Sequence, residues 1–201
     1  MESMIRIGLT GGIASGKSAV SEVLSSLGAL VVDHDVLARE AVAPGSVGLE
    51  RIAAAFGSGV IDDDDSLDRT ALGAIVFADT QKLEQLNSIV HPEVRRLALE
   101  ADARAEEGGR IVVHDIPLLV ETTQQHDFDA VIVVEAPLEQ RIARMIEHRG
   151  MTREQALARI DKQASDEERR AIADYLVVND GTLEGLDRAV RTIWQAIVAE
   201  I

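Results

Sequence analysis

The segment Gly11-Gly-Ile-Ala-Ser-Gly16-Lys17-Ser18 most constrains what this chain can fold into. An apolar run, Ile5-Arg-Ile-Gly-Leu9, precedes it. Ala19, Val20, Val23, Leu24 and Leu27 follow at helical spacing, and Gly28 supplies a stop. The pattern is G-x-x-x-x-G-K-S between a strand and a helix. Its glycines let backbone wrap a phosphate group, and the helix N-terminus adds free N–H donors and a partial positive charge. Lys17 can reach the β- and γ-phosphates, and the Ser18 hydroxyl can ligate Mg²⁺. A tight strand–helix turn with an incidental Lys-Ser is the bland alternative. The expected ligand is a nucleoside triphosphate with Mg²⁺, bound by Gly11, Gly12, Ile13, Ala14, Ser15, Gly16, Lys17, Ser18 and Ala19.

Composition narrows the class. The 201 residues are 46% hydrophobic and 27% charged, enough for one substantial core. Twenty Lys and Arg against 35 Asp and Glu leave a net charge of −15. So acidic a surface disfavours nucleic acid and anionic membranes, and an anionic ligand needs a local cluster of donors. Without cysteine, disulfides, thiolate metal sites and cysteine catalysis are excluded. The chain has no membrane-length apolar run and no leader-like start, so a cytoplasmic protein is expected.

Apolar runs at Leu30-Val-Val-Asp33, Ile111-Val-Val113, Val131-Ile-Val-Val134 and Leu176-Val-Val178 read as fully buried strands separated by helices. This predicts an α/β fold with a parallel sheet covered on both faces. From Val36 to about Glu107 only helical patterns occur, punctuated by Pro44-Gly45, Gly57-Ser-Gly59 and His91-Pro92. From Leu138 to Asp174 the chain is again helical and charged, interrupted at Gly150, with capping boxes at Thr152–Gln155 and Ser165–Glu168. Both stretches read as insertions at the strand carboxyl ends, where open α/β sheets bind ligands. One unit is expected: a nucleotide-binding core (1–35, 108–137, 175–201) with insertions at 36–107 and 138–174.

The phosphate motif serves kinases, GTPase switches and motors alike. Asn179-Asp-Gly181 lacks the lysine of a guanine-reading loop, and Asp115-Ile-Pro-Leu118 is not the Asp-x-x-Gly of a γ-phosphate switch. A small kinase fits best, with another small-metabolite kinase, a hydrolase or a nucleotide switch as rivals. A kinase needs a carboxylate or similar group to deprotonate its acceptor. Asp33 and Asp35 share a side if their segment is extended, and Arg39 follows Asp35 at helical spacing. Either aspartate could instead N-cap the next helix. Arg141, Arg144 and Arg149 on the second insertion could close over the transferring phosphoryl as a lid, or form a solvated face with Glu139 and Glu147.

Over nearly its whole length the chain resembles the dephospho-coenzyme A kinase family. The resemblance rests on Ile7 to Ser18, Asp33-His-Asp-Val-Leu-Ala-Arg39 with Pro44-Gly45, and Leu67-Asp-Arg69. It continues through Leu86-Asn-Ser-Ile-Val-His-Pro92, Ile116-Pro-Leu-Leu-Val-Glu121, and Arg149-Gly-Met-Thr152 leading to Gln163. It implies transfer of the ATP γ-phosphate to the ribose 3′-hydroxyl of dephospho-coenzyme A, the last step of coenzyme A synthesis. It also implies a P-loop fold like the nucleoside monophosphate kinases: a five-stranded parallel core, a helical acceptor-binding region (36–107) and a helical lid (138–174). Carried over, Lys17 and Ser18 keep their phosphate and magnesium roles, Asp35 is the catalytic base, and Arg144 is the lid arginine, with Arg141 and Arg149 beside it. Asp33, Arg39, His91 and Leu118 fall to acceptor binding. The oligomeric state stays open.

Two departures from the family pattern stand out. Ala14 replaces a frequent glycine, which predicts φ below zero there. Asp62-Asp-Asp-Asp-Ser66 replaces the Asp/Asn-Gly turn usual before Leu67-Asp-Arg69 and reads as a solvated acidic turn, not a cation site. Asp115, after a strand, could hold a magnesium-bound water.

Overall fold

A computed structural model describes residues 4–106 and 111–199. It divides into two compact units, residues 1–32 with 105–201, and residues 33–104.

The first unit is built on β1 (Arg6–Gly11), β2 (Leu30–Asp33), β3 (Val112–Asp115), β4 (Ala130–Glu135) and β5 (Tyr175–Val178), ordered β2-β3-β1-β4-β5 in a parallel sheet. Leu9 lies opposite both Asp115 and Ile132, which fixes the central register. Helix α1 (Lys17–Ser26) leaves the phosphate motif, and Gly28 stops it at φ 102°. Ile7, Leu9, Val20, Leu24, Val113, Ile132, Val134, Val190 and Ile197 form the buried core of this unit.

The central strands are buried as expected, but β5 is not. Leu176 and Val178 are 41% and 47% exposed. Val177 between them is 1% exposed, so one face of this edge strand packs on the core and the other is left bare.

In the second unit, α2 (His34–Glu40), α3 (Val47–Phe56), α4 (Arg69–Val76) and most of α5 (Thr80–Glu106) enclose Ala41, Val42, Ile52, Val60, Leu72 and Val76. Side chains set the helix starts: Ser46 Oγ accepts Leu49 N–H at 3.1 Å, and Asp68 accepts from Thr70 and Ala71, both at 2.9 Å.

His91-Pro92 does not punctuate this region; α5 runs through it. Pro92 lies on the exposed face, as does Ser88 one turn earlier, so the carbonyl that loses its N–H partner faces water.

The insertion after β4 consists of α6 (Leu138–Arg149), α7 (Arg153–Ile160) and α8 (Asp166–Ala171), and α9 (Leu183–Ala199) ends the first unit. Both expected capping boxes are present, and α6 stops at Gly150 with φ 61°. Among the described residues no helix is long and apolar enough to cross a membrane.

Candidate active site

The phosphate loop lies between β1 and α1. Ser15 N–H donates to Gly12 O at 3.0 Å, closing a tight turn. The N–H groups of Gly16, Lys17 and Ser18 have no carbonyl partner among the described residues, as at any helix start. Ala14 adopts φ 60°, against the negative value expected. A left-handed conformation costs an alanine about 1–2 kcal/mol, so the rest of the loop must impose it.

Side chains distant in sequence grip the loop on both sides of Ala14. Arg141 Nε donates to Ile13 O at 3.0 Å, and Arg144 Nη1 to Ala14 O at 3.0 Å and Ser15 O at 3.3 Å. Asn179 Nδ2 donates to Ser15 O at 2.8 Å, and Gln163 Oε1 accepts Ile13 N–H at 2.7 Å. Gripping the Ser15 carbonyl fixes the Gly16 N–H on the opposite edge of that peptide, because the two groups of a trans peptide point apart, while the Ser15 N–H stays in the turn with Gly12. A Cβ on Gly12 would lie 2.5 Å from Arg141 Nη2, so only glycine allows this approach.

Lys17 is paired with Asp115, whose other oxygen accepts the Ser21 hydroxyl at 2.6 Å. The Asp115 side chain is 6% exposed and that of Lys17 18%. Ser21 was not among the expected site residues, although its position four after Lys17 puts both on one helix face.

The three arginines of the insertion differ. Arg141 is 2% exposed and paired with Asp166 at 3.1 Å. Burial pushes its guanidinium below the ordinary value, with Asp166 opposing and Arg169 adding to the shift. Arg169, 1% exposed, shares the same Asp166 oxygen at 3.2 Å. Together they form a charged platform under the loop. Arg144 is half-buried and touches the loop directly, while Arg149 is exposed at the end of α6. The face with Glu139 and Glu147 does not form around Arg144; Glu139 instead pairs with Arg153 at 2.6 Å.

In the second unit, Asp33 is not one half of an extended carboxylate pair. Its side chain N-caps α2, accepting N–H from Asp35 at 2.8 Å and Val36 at 3.2 Å. The Asp35 carboxylate is exposed and has no hydrogen-bond partner among the described residues, and Arg39 Nε donates to the Asp35 carbonyl at 3.0 Å. His91 is exposed on α5; Leu118 belongs to the first unit and is 47% exposed. Asp62 folds back on its own turn, accepting from Ser66 N–H at 2.9 Å and Ser66 Oγ at 2.7 Å; the hydroxyl contact is the main cause of its lowered pKa.

Oxygen donors suit a hard cation. Ser18 is exposed at the start of α1, and Asp115 lies beside Lys17. Among the described residues no cluster of three or more His, Cys, Asp or Glu could cage a metal. The hydroxyl of Ser18 and the carboxylate of Asp115 are oxygen donors of the kind Mg²⁺ takes.

The profile of the dephospho-CoA kinase family matches residues 5–185. Dephospho-CoA kinase of Thermobifida fusca is 50% identical over 194 residues, covering 96% of each chain. That of Frankia casuarinae is 49% identical over 196 residues, covering 98% of this chain and 85% of its own. Among solved structures, a Thermus thermophilus protein superposes with a TM-score of 0.83 at 37% identity, over 97% of this chain and 98% of that one. Dephospho-CoA kinase from Campylobacter jejuni gives 0.73 at 27% identity, over 96% of each. Shikimate kinase from Acinetobacter baumannii, at 0.52 and 17% identity, covering 99% of this chain and 96% of its own, shares the fold alone. The chain belongs to the dephospho-CoA kinase family.

Proposed function

We propose that this kinase transfers the γ-phosphate of ATP to the ribose 3′-hydroxyl of dephospho-coenzyme A, giving coenzyme A and ADP. The observation that carries the reading is the phosphate loop itself, with its carbonyls held outward by Arg141, Arg144 and Asn179. Donors fixed before the substrate arrives need no reorganisation when charge develops, which is how such loops accelerate transfer.

Each residue then has a defined task. The N–H groups of Gly16, Lys17 and Ser18 bind phosphate oxygens, and Lys17 exchanges Asp115 for the β- and γ-phosphates. Ser18, with Asp115 through water, would hold Mg²⁺, which when bound neutralises phosphate charge. Arg144, already touching the loop, stabilises charge on the phosphoryl group as the lid residue; Arg149 stands at the outer end of the same helix, and Arg141, expected beside them, supports the loop from its buried position. Asp35 takes the proton of the acceptor hydroxyl. That assignment is supported by the division of labour in α2, where Asp33 caps the helix and the Asp35 carboxylate is left without a partner among the described residues. Asp33, Arg39, His91 and Leu118 serve acceptor binding. Residues 36–107 form the acceptor region and 138–174 the lid. A cytoplasmic setting completes the proposal.

Incubation with ATP and Mg²⁺ across a panel of alcohol acceptors tests the reading. The expected result is phosphorylation of dephospho-coenzyme A, with little phosphate release in its absence and no reaction of an analogue lacking the 3′-hydroxyl. Phosphate release indifferent to the acceptor would make the chain an ATPase.

A further inference from the structure

Asn179 stands immediately after β5, outside the phosphate motif and 164 residues from the group it touches. Its backbone N–H donates to Glu135 O at 2.7 Å, which fixes the residue against the end of β4. The side chain is buried, with the residue 6% exposed, and Nδ2 donates to Ser15 O at 2.8 Å. Arg144 supplies the second donor to that oxygen at 3.3 Å, so both lone pairs of the carbonyl have a partner.

The next residue, Gly16, has φ 97°, and a Cβ there would run into the Asn179 amide. Glycine permits this backbone but also many others. The Gly16 carbonyl is held by Ala19 and Val20 N–H at 3.0 and 3.3 Å, whereas the Ser15 carbonyl is held by side chains from outside the motif. A half-turn of the Ser15–Gly16 peptide would present a carbonyl, not an N–H, to an incoming phosphate. We propose that Asn179 is a positioning residue for phosphoryl transfer, holding the Ser15–Gly16 peptide with its N–H turned toward the nucleotide phosphates. The inference rests on the nucleotide reading above and adds to it a residue that acts through the loop without touching substrate.

Asn179→Ala and Asn179→Leu test it, the second keeping volume without the donor. Inhibition constants of ADP and adenosine are measured against ATP, together with kcat and KM. ADP binding should weaken by about tenfold or more while adenosine binding and the acceptor KM stay within about twofold, since only the phosphates use the peptide. kcat should fall as well. Equal weakening of ADP and adenosine, or no change in either, would mean that Asn179 only fills space. In the wild-type protein the Gly16 amide resonance should move downfield on ADP addition and not on adenosine addition. A Gly16 amide indifferent to ADP would overturn the proposal even if both variants failed to fold. Wild-type protein that bound no ADP at all would instead remove the nucleotide reading itself.

Discussion

Lys17 and Asp115 form an ion pair that joins the first residue of α1 to the last residue of β3, with Ser21 holding the second carboxylate oxygen. On the proposed reading, the cation that meets the phosphates has a counter-charge within the protein itself. Binding is an exchange of one counter-charge for another, which lowers the desolvation cost of holding a lysine in a mostly buried place.

That exchange predicts the behaviour of Asp115→Asn. Without nucleotide the variant should melt at a lower temperature, because Lys17 loses its anionic partner. ADP in the presence of EDTA should then raise its melting temperature by more than it raises that of the wild type. A smaller rise in the variant would mean that Asp115 does not compete with phosphate for Lys17. Differential scanning fluorimetry reads both values.

Lys17→Met removes the other half of the pair. Loss of one electrostatic contact to the transferring group is expected to lower kcat by about 10²–10³, or 2.7–4 kcal/mol. The circular dichroism spectrum should remain that of the folded wild type. Near-normal turnover by the folded variant would reject the phosphate-loop assignment.

The two aspartates around the start of α2 should separate stability from catalysis. Asp33→Ala deletes the N-cap and should cost about 1 kcal/mol by urea denaturation. Asp35→Asn leaves the cap intact, so stability should hardly change while kcat falls sharply and ATP affinity much less. If Asp33→Asn, which retains capping ability, proves the slower enzyme, the base is Asp33.

The neighbouring arginines of α6 should separate in the same way. Arg141→Ala leaves Asp166 with Arg169 alone and takes the side-chain donor from the Ile13 carbonyl, and about 1–3 kcal/mol of stability should be lost. Arg144→Lys keeps the charge but not the planar fork, so kcat should drop with only a small change in melting temperature. A destabilised Arg144→Lys with unimpaired kcat would make that residue structural, and Arg149 would then be the arginine to test as the phosphoryl ligand.

Patterns with a short period were legible in the chain itself. The loop glycines, the buried central strands, the stop at Gly28 and the capping boxes at Thr152 and Ser165 each depend on residues within a turn or two of one another, where torsion preference and side-chain reach decide the outcome. Pro92 and β5 went otherwise because exposure decides them: a helix tolerates proline on a wet face, and the face of an edge strand turned away from the core stays bare. Ala14 shows the same limit, since its left-handed backbone goes with a carbonyl bonded by Arg144 from outside the motif. The supports of the phosphate loop come from Arg141, Arg144, Gln163 and Asn179, at least 128 residues beyond the carbonyls and N–H they hold. No local spacing encodes those meetings. The order β2-β3-β1-β4-β5 creates them, by packing β4 and β5 with their following residues beside the strand that carries the loop. The residue types that could bind phosphate were set by sequence alone; which hydrogen-bonding edges of the loop are gripped and which are left open was decided by tertiary structure, because a peptide's orientation depends on what holds its carbonyl.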